Sequence, residues 1–120
     1  MSAVTLLSYA GCSTCAKALA WLRMRGVEVH VRAIVDVPPT RGELATWVPL
    51  SGRTLRQWLN IGGLSCRALG KERVAAASDA DLVAMLCGDG KLVRRPVLVG
   101  RQQVMVGFER KAYEQAFPRT

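Results

Sequence analysis

The chain has 120 residues, half of them hydrophobic, and its 17 Lys and Arg against 9 Asp and Glu give a net charge of +8. This length predicts one domain with an ordinary core, and no apolar run approaches the roughly 20 residues that cross a bilayer. The N-terminal residues lack the basic and long apolar segments of a secretory signal. We therefore expect a cytoplasmic protein with no membrane partner.

The basic excess favours anionic partners, such as nucleic acid, acidic protein surfaces, oxyanions or the carboxylates of glutathione. The basic residues are, however, spread from Lys17 to Arg119 without a block of five or more. No group of aromatic residues accompanies them as a stacking platform for bases. We interpret the charge as a solvated surface and predict no direct nucleic-acid binding.

The first third of the chain predicts a strand, a helix and a second strand. The apolar run Val4–Tyr9 indicates a buried strand. Good helix formers fill Ser13–Arg25, with Ser13 or Thr14 as the cap and a glycine as the stop. Val27–Ile34 alternates as a strand does, with one face made of Val27, Val29, Val31 and Ala33. This order predicts a parallel βαβ unit.

The middle of the chain predicts helices and loops. Two capping boxes start helices, namely Thr40 with Glu43 and Ser78 with Asp81. A short helical piece is predicted over Thr54–Leu59, and the glycine-punctuated NIGGLSCRALG that follows it is predicted to be a loop.

The last third predicts a hairpin and a closing helix. The strands are Pro96–Gly100 and Val104–Gly107, and the helix follows in ERKAYEQAF. The whole order is β-α-β, a helical middle, then β-β-α. It predicts an α/β fold of the thioredoxin or glutaredoxin type, with a mixed sheet in a single domain 1–120 and a helical insertion at about residues 38–90.

Two cysteines, Cys12 and Cys15, lie at the first strand-to-helix junction. Unpaired N–H groups and the helix dipole favour a thiolate there, and such a setting lowers a thiol pKa below its free value of about 8.5. Cys12 meets the helix first, Cys15 lies on the same face one turn later, and Lys17 adds a cation. We predict that Cys12 is the nucleophile and that Cys15 is the resolving thiol.

Two other interpretations of the cysteines are a metal site and core packing. A zinc site needs two further ligands, but Cys66 and Cys87 are isolated and His30 is the single histidine. We therefore expect no metal. Lone cysteines behave as small apolar residues, so Cys66 and Cys87 are interpreted as structural, and His30 as a strand residue.

VRRPVLV carries a second candidate site. In thioredoxin-like folds the proline that opens this strand is cis and lies against the cysteine loop, and we assign that place to Pro96. Arg95 would then lie near Cys12, where a guanidinium can bind an oxyanion or a carboxylate. Either Arg94 or Arg95 would remain a solvated surface arginine. The predicted anion- or thiol-ligand-binding residues are Arg95, Ser13, Thr14 and Lys17.

Several ordered segments resemble the arsenate reductase-related (ArsC/Spx/MgsR) family: YAGCSTCAKALAWL, DVPPTRGEL, LNIGGLSCRALG, LVRRPVLVG and VMVGFERKAYEQAF. The resemblance covers nearly the whole chain and implies a thioredoxin-like fold with an inserted helical subdomain. The patterns NxxGxxxRxLG and RPxLV…VGF place the chain nearer to the Spx/MgsR and YffB-like branch than to true arsenate reductases.

The resemblance also bears on the substrate. It implies that the glutathione- and glutaredoxin-coupled arsenate reductases carry a nucleophilic cysteine where Cys12 stands and three arginines around the oxyanion. Arg95 matches one of these arginines, while Asn60 and Gly107 fall on or near the other two. Those reductases also lack a counterpart of Cys15. Both differences imply that arsenate is a poor substrate.

Two functions are therefore expected. The first is a thiol-disulfide redox protein, in which Cys12 and Cys15 reduce an oxyanion or a mixed disulfide without a bound cofactor, and glutathione or a redoxin donates electrons. The alternative implied by the resemblance is a redox-switched transcriptional regulator of the Spx/MgsR type that binds RNA polymerase, through its alpha subunit. In either case we expect a monomer.

Overall fold

The computed structural model describes residues 3–119. Its strands are β1 (Val4–Ser8), β2 (Val29–Ala33), β3 (Val97–Val99) and β4 (Val104–Val106). Its helices are α1 (Ser13–Met24), α2 (Arg41–Ser51), α3 (Leu64–Leu69), α4 (Lys71–Ala76), α5 (Asp79–Gly88) and α6 (Arg110–Ala116). Short 3-10 turns lie at Leu55–Trp58 and Gly90–Leu92. Among these helices none is long and apolar enough to span a bilayer.

The four strands form one mixed sheet in the order β2-β1-β3-β4. β1 pairs in parallel with β2, from Val4 opposite Val29 to Ser8 opposite Ala33. β1 is antiparallel to β3, which forms a hairpin with β4. The predicted βαβ unit and the predicted hairpin are therefore both present, with β1 and β3 in the centre of the sheet.

Residues 3–119 form two hydrophobic cores. Consecutive residues of β1 contribute to both, because successive side chains of a strand point to opposite faces. Leu6 belongs to the core that α1 and α6 supply with Ala18, Leu22 and Tyr113. Leu7 belongs to the larger core that the helical segment supplies, with Leu44, Trp58, Leu82 and Leu86. The segment between β2 and β3 therefore packs against one face of the sheet and shares a hydrophobic core with it.

The chain between β2 and β3 is more helical than its glycines indicate. The loop predicted over NIGGLSCRALG is wrong for Leu64–Leu69, which form α3, and α4 follows directly. Gly63 and Gly70 lie at the two ends of α3, and Gly70 has a φ of +91°, a backbone conformation that glycine adopts readily. The glycines therefore delimit short helices instead of excluding them.

The predicted face of the second strand, made of Val27, Val29, Val31 and Ala33, is not buried along its whole length. Val27 is buried ahead of β2, but Val31 is 51% exposed and Ala33 is exposed as well. β2 is the edge of the sheet, so the face carrying Val31 is left partly open to solvent. The side chain of Arg32 on the opposite face is engaged by the helical segment.

Both predicted capping boxes are confirmed. The Thr40 hydroxyl accepts from the N–H of Glu43, whose carboxylate accepts from the N–H of Thr40. Ser78 and Asp81 make the same reciprocal pair at the start of α5. The carboxylate of Glu43 also accepts hydrogen bonds from both terminal guanidinium nitrogens of Arg32, at 2.7 and 2.8 Å, and so joins α2 to β2.

Candidate functional site

Cys12 is the N-cap residue of α1. Its φ of −100° and ψ of 115° are extended, and its carbonyl accepts the first helical hydrogen bond, from Ala16. The sequence had favoured Ser13 or Thr14 as the cap, so that detail is wrong. Because the cap is the cysteine itself, its half-buried thiol lies at the unpaired N–H groups of the helix.

The surroundings of Cys12 favour its thiolate. Partial burial by itself raises the pKa of the thiol, but the nearby backbone N–H and thiol of Cys15, together with the guanidinium of Arg95, favour the thiolate and outweigh that effect. The pKa of Cys12 therefore lies below its ordinary value, which makes this thiol the better nucleophile near neutral pH.

Cys15 has the opposite environment. Its side chain is 1% exposed, and this burial raises the pKa of the thiol. A hydrogen bond from the backbone of Tyr9 and another from Ser8 lower the pKa in part, while the neighbouring Cys12 raises it. Cys15 is consequently a protonated thiol that lies beneath a more acidic one. Both cysteines are free thiols in the structure.

Arg95 is held in place by its neighbours. Its peptide bond to Pro96 is cis, and its guanidinium carbon lies 4.7 Å from the ring centroid of Tyr9, a cation–π contact. One terminal nitrogen donates to the carbonyl of Lys91 at 3.3 Å. The Nε is buried and has no hydrogen-bond partner among the described residues, while the residue as a whole lines the cleft beside Cys12.

An open cleft of about 370 Å³ surrounds the Cys12 thiol. Its lining is mainly polar and comes from four parts of the chain: Cys12, Thr14, Asn60, Arg94, Arg95, Gly107 and Phe108. The cleft therefore places a nucleophilic sulfur among two guanidinium groups and one carboxamide. Such donors suit carboxylates and oxyanions.

A short antiparallel bridge between Leu59 and Val93 brings Asn60 and Arg94 into this cleft. The N–H of Asn60 donates to the carbonyl of Leu92 at 2.8 Å, and the N–H of Arg94 donates to the carbonyl of Trp58 at 2.7 Å. The helical segment is thereby tied to the chain that leads into β3. Two residues distant in sequence become neighbours of Cys12.

Arg94 lies where a larger residue at position 107 would project. Gly107 has a φ of +79°, and a Cβ added there would lie 3.7 Å from the Nε of Arg94. The sequence left one of the two arginines as a surface residue, yet the structure places both on the cleft. The cleft consequently has a second guanidinium beside the glycine.

The other predicted ligand-binding residues divide. Thr14 lines the cleft, whereas Ser13 and Lys17 are exposed on α1 and lie outside its lining. Cys66, Cys87 and His30 are also elsewhere, on α3, α5 and β2 respectively. Within residues 3–119 no group of three or more His, Cys, Asp or Glu could hold a metal ion.

Sequence reasoning did not single out Arg94, Tyr9 or Phe108 as parts of the site. The doubled arginine before the proline is the signal that could have indicated Arg94. Tyr9 closes the first apolar run just ahead of the cysteines, and this position could have indicated a partner for Arg95. Asn60 could be related to the site only through the resemblance to the family, in which it falls on the position of an arginine.

A mixed four-stranded sheet, with a cysteine capping the first helix and a cis-proline opening the third strand, defines a protein of the thioredoxin-like class. The sequence model of the ArsC family matches residues 7–116. The chain belongs to this family, as its segments predicted.

The curated relatives span nearly the same length. The chain is 33% identical over 113 residues to the uncharacterized protein YusI of Bacillus subtilis, a match that covers 93% of this chain and 96% of YusI. It is 26% identical to the regulatory protein MgsR of the same organism, over 88% and 82% of the two chains. The global transcriptional regulator Spx of Streptococcus pyogenes matches at 26% identity over 88% and 78%.

Solved structures confirm the predicted fold. An ArsC family related protein from Bacteroides fragilis superposes with a TM-score of 0.89 at 36% identity, over 95% of this chain and 97% of that chain. A possible arsenate reductase from Streptococcus mutans superposes with a TM-score of 0.84 at 32% identity, over 97% and 98%. The family's known members thus include proteins named as reductases and proteins named as regulators.

Proposed function

We propose that this chain is a thiol-disulfide redox protein that uses Cys12 as its nucleophile and Cys15 as its resolving thiol. The observation that carries the proposal is the placement of the two thiols: Cys12 is the N-cap of α1 and lines a cleft with Arg95, while Cys15 lies one turn later and is 1% exposed. These surroundings lower the pKa of Cys12 and raise that of Cys15. A lowered pKa supplies thiolate for attack. A protonated second thiol does not compete with it for the substrate.

The reaction with a mixed disulfide follows from this order. The Cys12 thiolate attacks one sulfur, a bond forms between that sulfur and Cys12, and the second sulfur leaves as a thiolate. Cys15 then loses its proton and attacks the sulfur of Cys12, which forms the Cys12–Cys15 disulfide and releases the bound thiolate. The substrate disulfide gains two electrons, and the cysteine pair supplies them.

The resolving step benefits from the first one. The thiolate of Cys12 is among the groups that raise the pKa of Cys15. When Cys12 is bonded to the substrate, that negative charge is gone. Cys15 then ionises more readily, so the second thiol becomes reactive after the first has been used.

The cleft favours a substrate that carries negative charge. Arg94, Arg95 and Asn60 surround the approach to Cys12, and guanidinium groups bind carboxylates and oxyanions with charge-assisted hydrogen bonds. We infer that the substrate is a mixed disulfide with an anionic thiol, or an oxyanion. Glutathione fits as the anionic thiol, and glutathione or a redoxin would return the pair to its reduced state.

Reduction of a glutathionylated peptide tests the proposal. The wild-type chain should release glutathione, and the variant Cys15→Ser should stop at a mixed disulfide on Cys12 that mass spectrometry detects. Cys12→Ser should be inactive, while Cys87→Ser should behave as the wild type. Full activity of the Cys12→Ser variant would refute the assignment. Arsenate, assayed with glutathione and glutaredoxin, serves as the oxyanion for comparison.

The second candidate is a redox-switched regulator. The observation that favours it is the match to MgsR and Spx over most of the chain. In this function the Cys12–Cys15 disulfide would alter a protein contact rather than turn over a substrate. A pull-down with the alpha subunit of RNA polymerase, using reduced and oxidised protein, tests it. Equal absence of binding in both states would exclude this partner.

A further inference from the structure

An apolar groove lies on the helical segment and shares no lining residue with the Cys12 cleft. Its volume is about 400 Å³, and its lining is largely apolar. The lining residues are Arg56, Leu59, Ile61, Cys66, Arg67, Lys71, Val74 and Ala75. Arg56 joins the two sides of the groove, because its guanidinium donates to the carbonyls of Val74 and Ala77 at 2.8 and 2.9 Å.

The apolar surface continues beyond the groove. Ile61 in its wall is 66% exposed, and Leu64 at the start of α3 is 83% exposed. Large aliphatic side chains this exposed and this near in sequence form a patch that water contacts unfavourably. Exposed aliphatic side chains beside a groove are a feature of surfaces that contact another protein.

Positive charge surrounds the same groove. Arg67 and Lys71 line it and are exposed, and neither takes part in an ion pair within residues 3–119. The segment from Arg53 to Ala75 contains five basic residues and a single acidic one, Glu72. Arg56 is already occupied with carbonyls, which leaves Arg67 and Lys71 as the free cations of the rim.

We propose that this groove docks an amphipathic helix of a partner protein, with apolar side chains in the groove and Asp or Glu against Arg67 and Lys71. Helices bind grooves in this way through residues spaced at i, i+3, i+4 and i+7. Charge complementarity identifies the acidic character of the partner. A second copy of this chain is disfavoured, because its net charge is +8 and the same two cations would meet themselves.

The docked helix would lie beside the Cys12 cleft. Asn60 lines the cleft and Ile61 lines the groove, so adjacent residues of one loop serve both. The side chain of Asn60 packs against Gly63, where an added Cβ would come within 2.6 Å of its Nδ2. The docking surface does not depend on the redox reaction, and its occupant is defined by shape and charge alone.

The test uses a labelled synthetic peptide of about 14 residues, roughly four helical turns, with Leu along one face and Glu on both flanks. Its matched control has Lys in place of every Glu. Fluorescence anisotropy should show binding of the Glu peptide only, weakening as salt rises. Amide chemical shifts of the labelled protein should change mainly within residues 56–75.

Substitutions then assign the contact. The double variant Arg67→Glu, Lys71→Glu should weaken binding by about tenfold or more, and Ile61→Ser by about fivefold. The matched controls Arg41→Glu and Val31→Ser alter exposed residues outside the groove and should change nothing. Cys12→Ser should also bind normally, so a failure of the redox proposal leaves this result readable.

Three outcomes would overturn the proposal. The first is binding of the Glu peptide with the main shift changes outside residues 56–75. The second is tighter occupation of the groove by decanoate than by the Glu peptide, which would indicate a small amphiphile. The third is a concentration-dependent dimer that Ile61→Ser abolishes, which would assign the groove to a second copy. Circular dichroism of each variant confirms that the fold is retained.

Discussion

Cys12 and Cys15 are chemically identical residues three positions apart, and their surroundings separate them. Cys12 is half-buried at the end of a helix beside Arg95, while Cys15 is fully buried among the first turn and β1. Hydrogen bonding lowers one pKa and burial raises the other. The difference in pKa between the two thiols therefore follows from their positions one helical turn apart, the first at the helix end and the second in the core.

Alkylation measures this difference directly. We expect the rate of iodoacetamide reaction at Cys12, followed by mass spectrometry across pH, to give a pKa below the ordinary value of about 8.5. Cys15→Ala should raise that pKa in part, because the thiol hydrogen bond is lost while the backbone N–H remains. Cys66→Ser is the control and should leave it unchanged. Faster alkylation of Cys15 than of Cys12 would reverse the roles.

The two arginines of the cleft should separate in the same assay. Arg95→Ala removes a hydrogen bond and a charge that lower the pKa of Cys12, so the pKa should rise. Arg94→Ala is the matched control, because Arg94 lines the cleft without contributing to that shift. Both variants should bind anions such as sulfate more weakly, as measured by calorimetry. An equal rise of pKa in both would contradict this assignment.

At the scale of single residues, the position of the site could be predicted from the sequence, but not all of the residues that line it. A C-x-x-C at a strand-to-helix junction has few structural explanations, so Cys12 and Cys15 could be singled out from spacing alone. Arg94 could not, because its approach to the cleft depends on the bridge between Leu59 and Val93. Contacts of that kind join residues more than thirty positions apart and leave no local pattern.

Elements meet most closely where the helical segment returns to the sheet. Gly90 is buried, and a Cβ there would overlap the backbone oxygen of Ile34. Gly90→Ala should lower the free energy of unfolding by about 3 kcal/mol, the upper range for overpacking, in urea denaturation. Gly88→Ala is the control, since a Cβ at Gly88 meets nothing within 4 Å. It should be neutral or stabilising by about 0.5 kcal/mol.

The contact between β2 and α2 should depend on pH. Arg32 holds the pKa of Glu43 below its ordinary value, with help from the N–H of Thr40. A carboxyl with a lowered folded-state pKa adds stability above its unfolded pKa of about 4.3 and loses it as pH falls through the folded value. Glu43→Gln should therefore cost about 2 kcal/mol at pH 7, as charged hydrogen bonds do, and much less near pH 3.

Glu109→Gln is the matched control for this effect. Glu109 pairs with Arg53 at 3.1 Å but its side chain is 66% exposed, so its removal should change stability by about 0.5 kcal/mol or less. Urea denaturation at both pH values measures all three proteins. An equal loss for Glu43→Gln at pH 7 and pH 3 would show that the ion pair is not the cause.

Elements with a local signal were predictable and those without one were not. Thr40 with Glu43 and Ser78 with Asp81 announce helix starts in the sequence, and both were found where the pattern placed them. The helix α3 was missed because six residues between two glycines are too few for a helical period to appear. Its stability comes from Cys66 and the surrounding core, which is tertiary information.

At the scale of the whole molecule, the Cys12 cleft is formed by residues that two different hydrophobic cores support. The core with Leu6 supports α1 and hence Cys12, while the core with Leu7 supports the helical segment and hence Asn60. The cleft opens where these two cores meet. Relative movement of the two cores would therefore change the spacing between the Cys12 thiol and the polar groups around it.

The reduced and oxidised states of the whole chain should differ in how their stability depends on pH. In the reduced state the lowered pKa of Cys12 means that folding favours its thiolate, a contribution present above the unfolded pKa and lost as pH falls through the folded value. Oxidation to the Cys12–Cys15 disulfide removes that thiolate. The new bond closes a loop of only a few residues, so it constrains the unfolded chain little in return.

We therefore expect the melting temperature of the reduced protein, relative to that of the oxidised protein, to rise as the pH is raised from 5 to about 7.5. This range stays below the ordinary thiol pKa of about 8.5, above which the raised pKa of Cys15 would act in the opposite direction. Differential scanning calorimetry measures both, and peptide mapping should show Cys12 linked to Cys15 with Cys66 and Cys87 free. The double variant Cys66→Ser, Cys87→Ser should repeat the result. A melting-temperature difference that stays constant between pH 5 and about pH 7.5 would mean that folding does not favour the Cys12 thiolate, because a lowered pKa of Cys12 requires the reduced state to gain stability over this range.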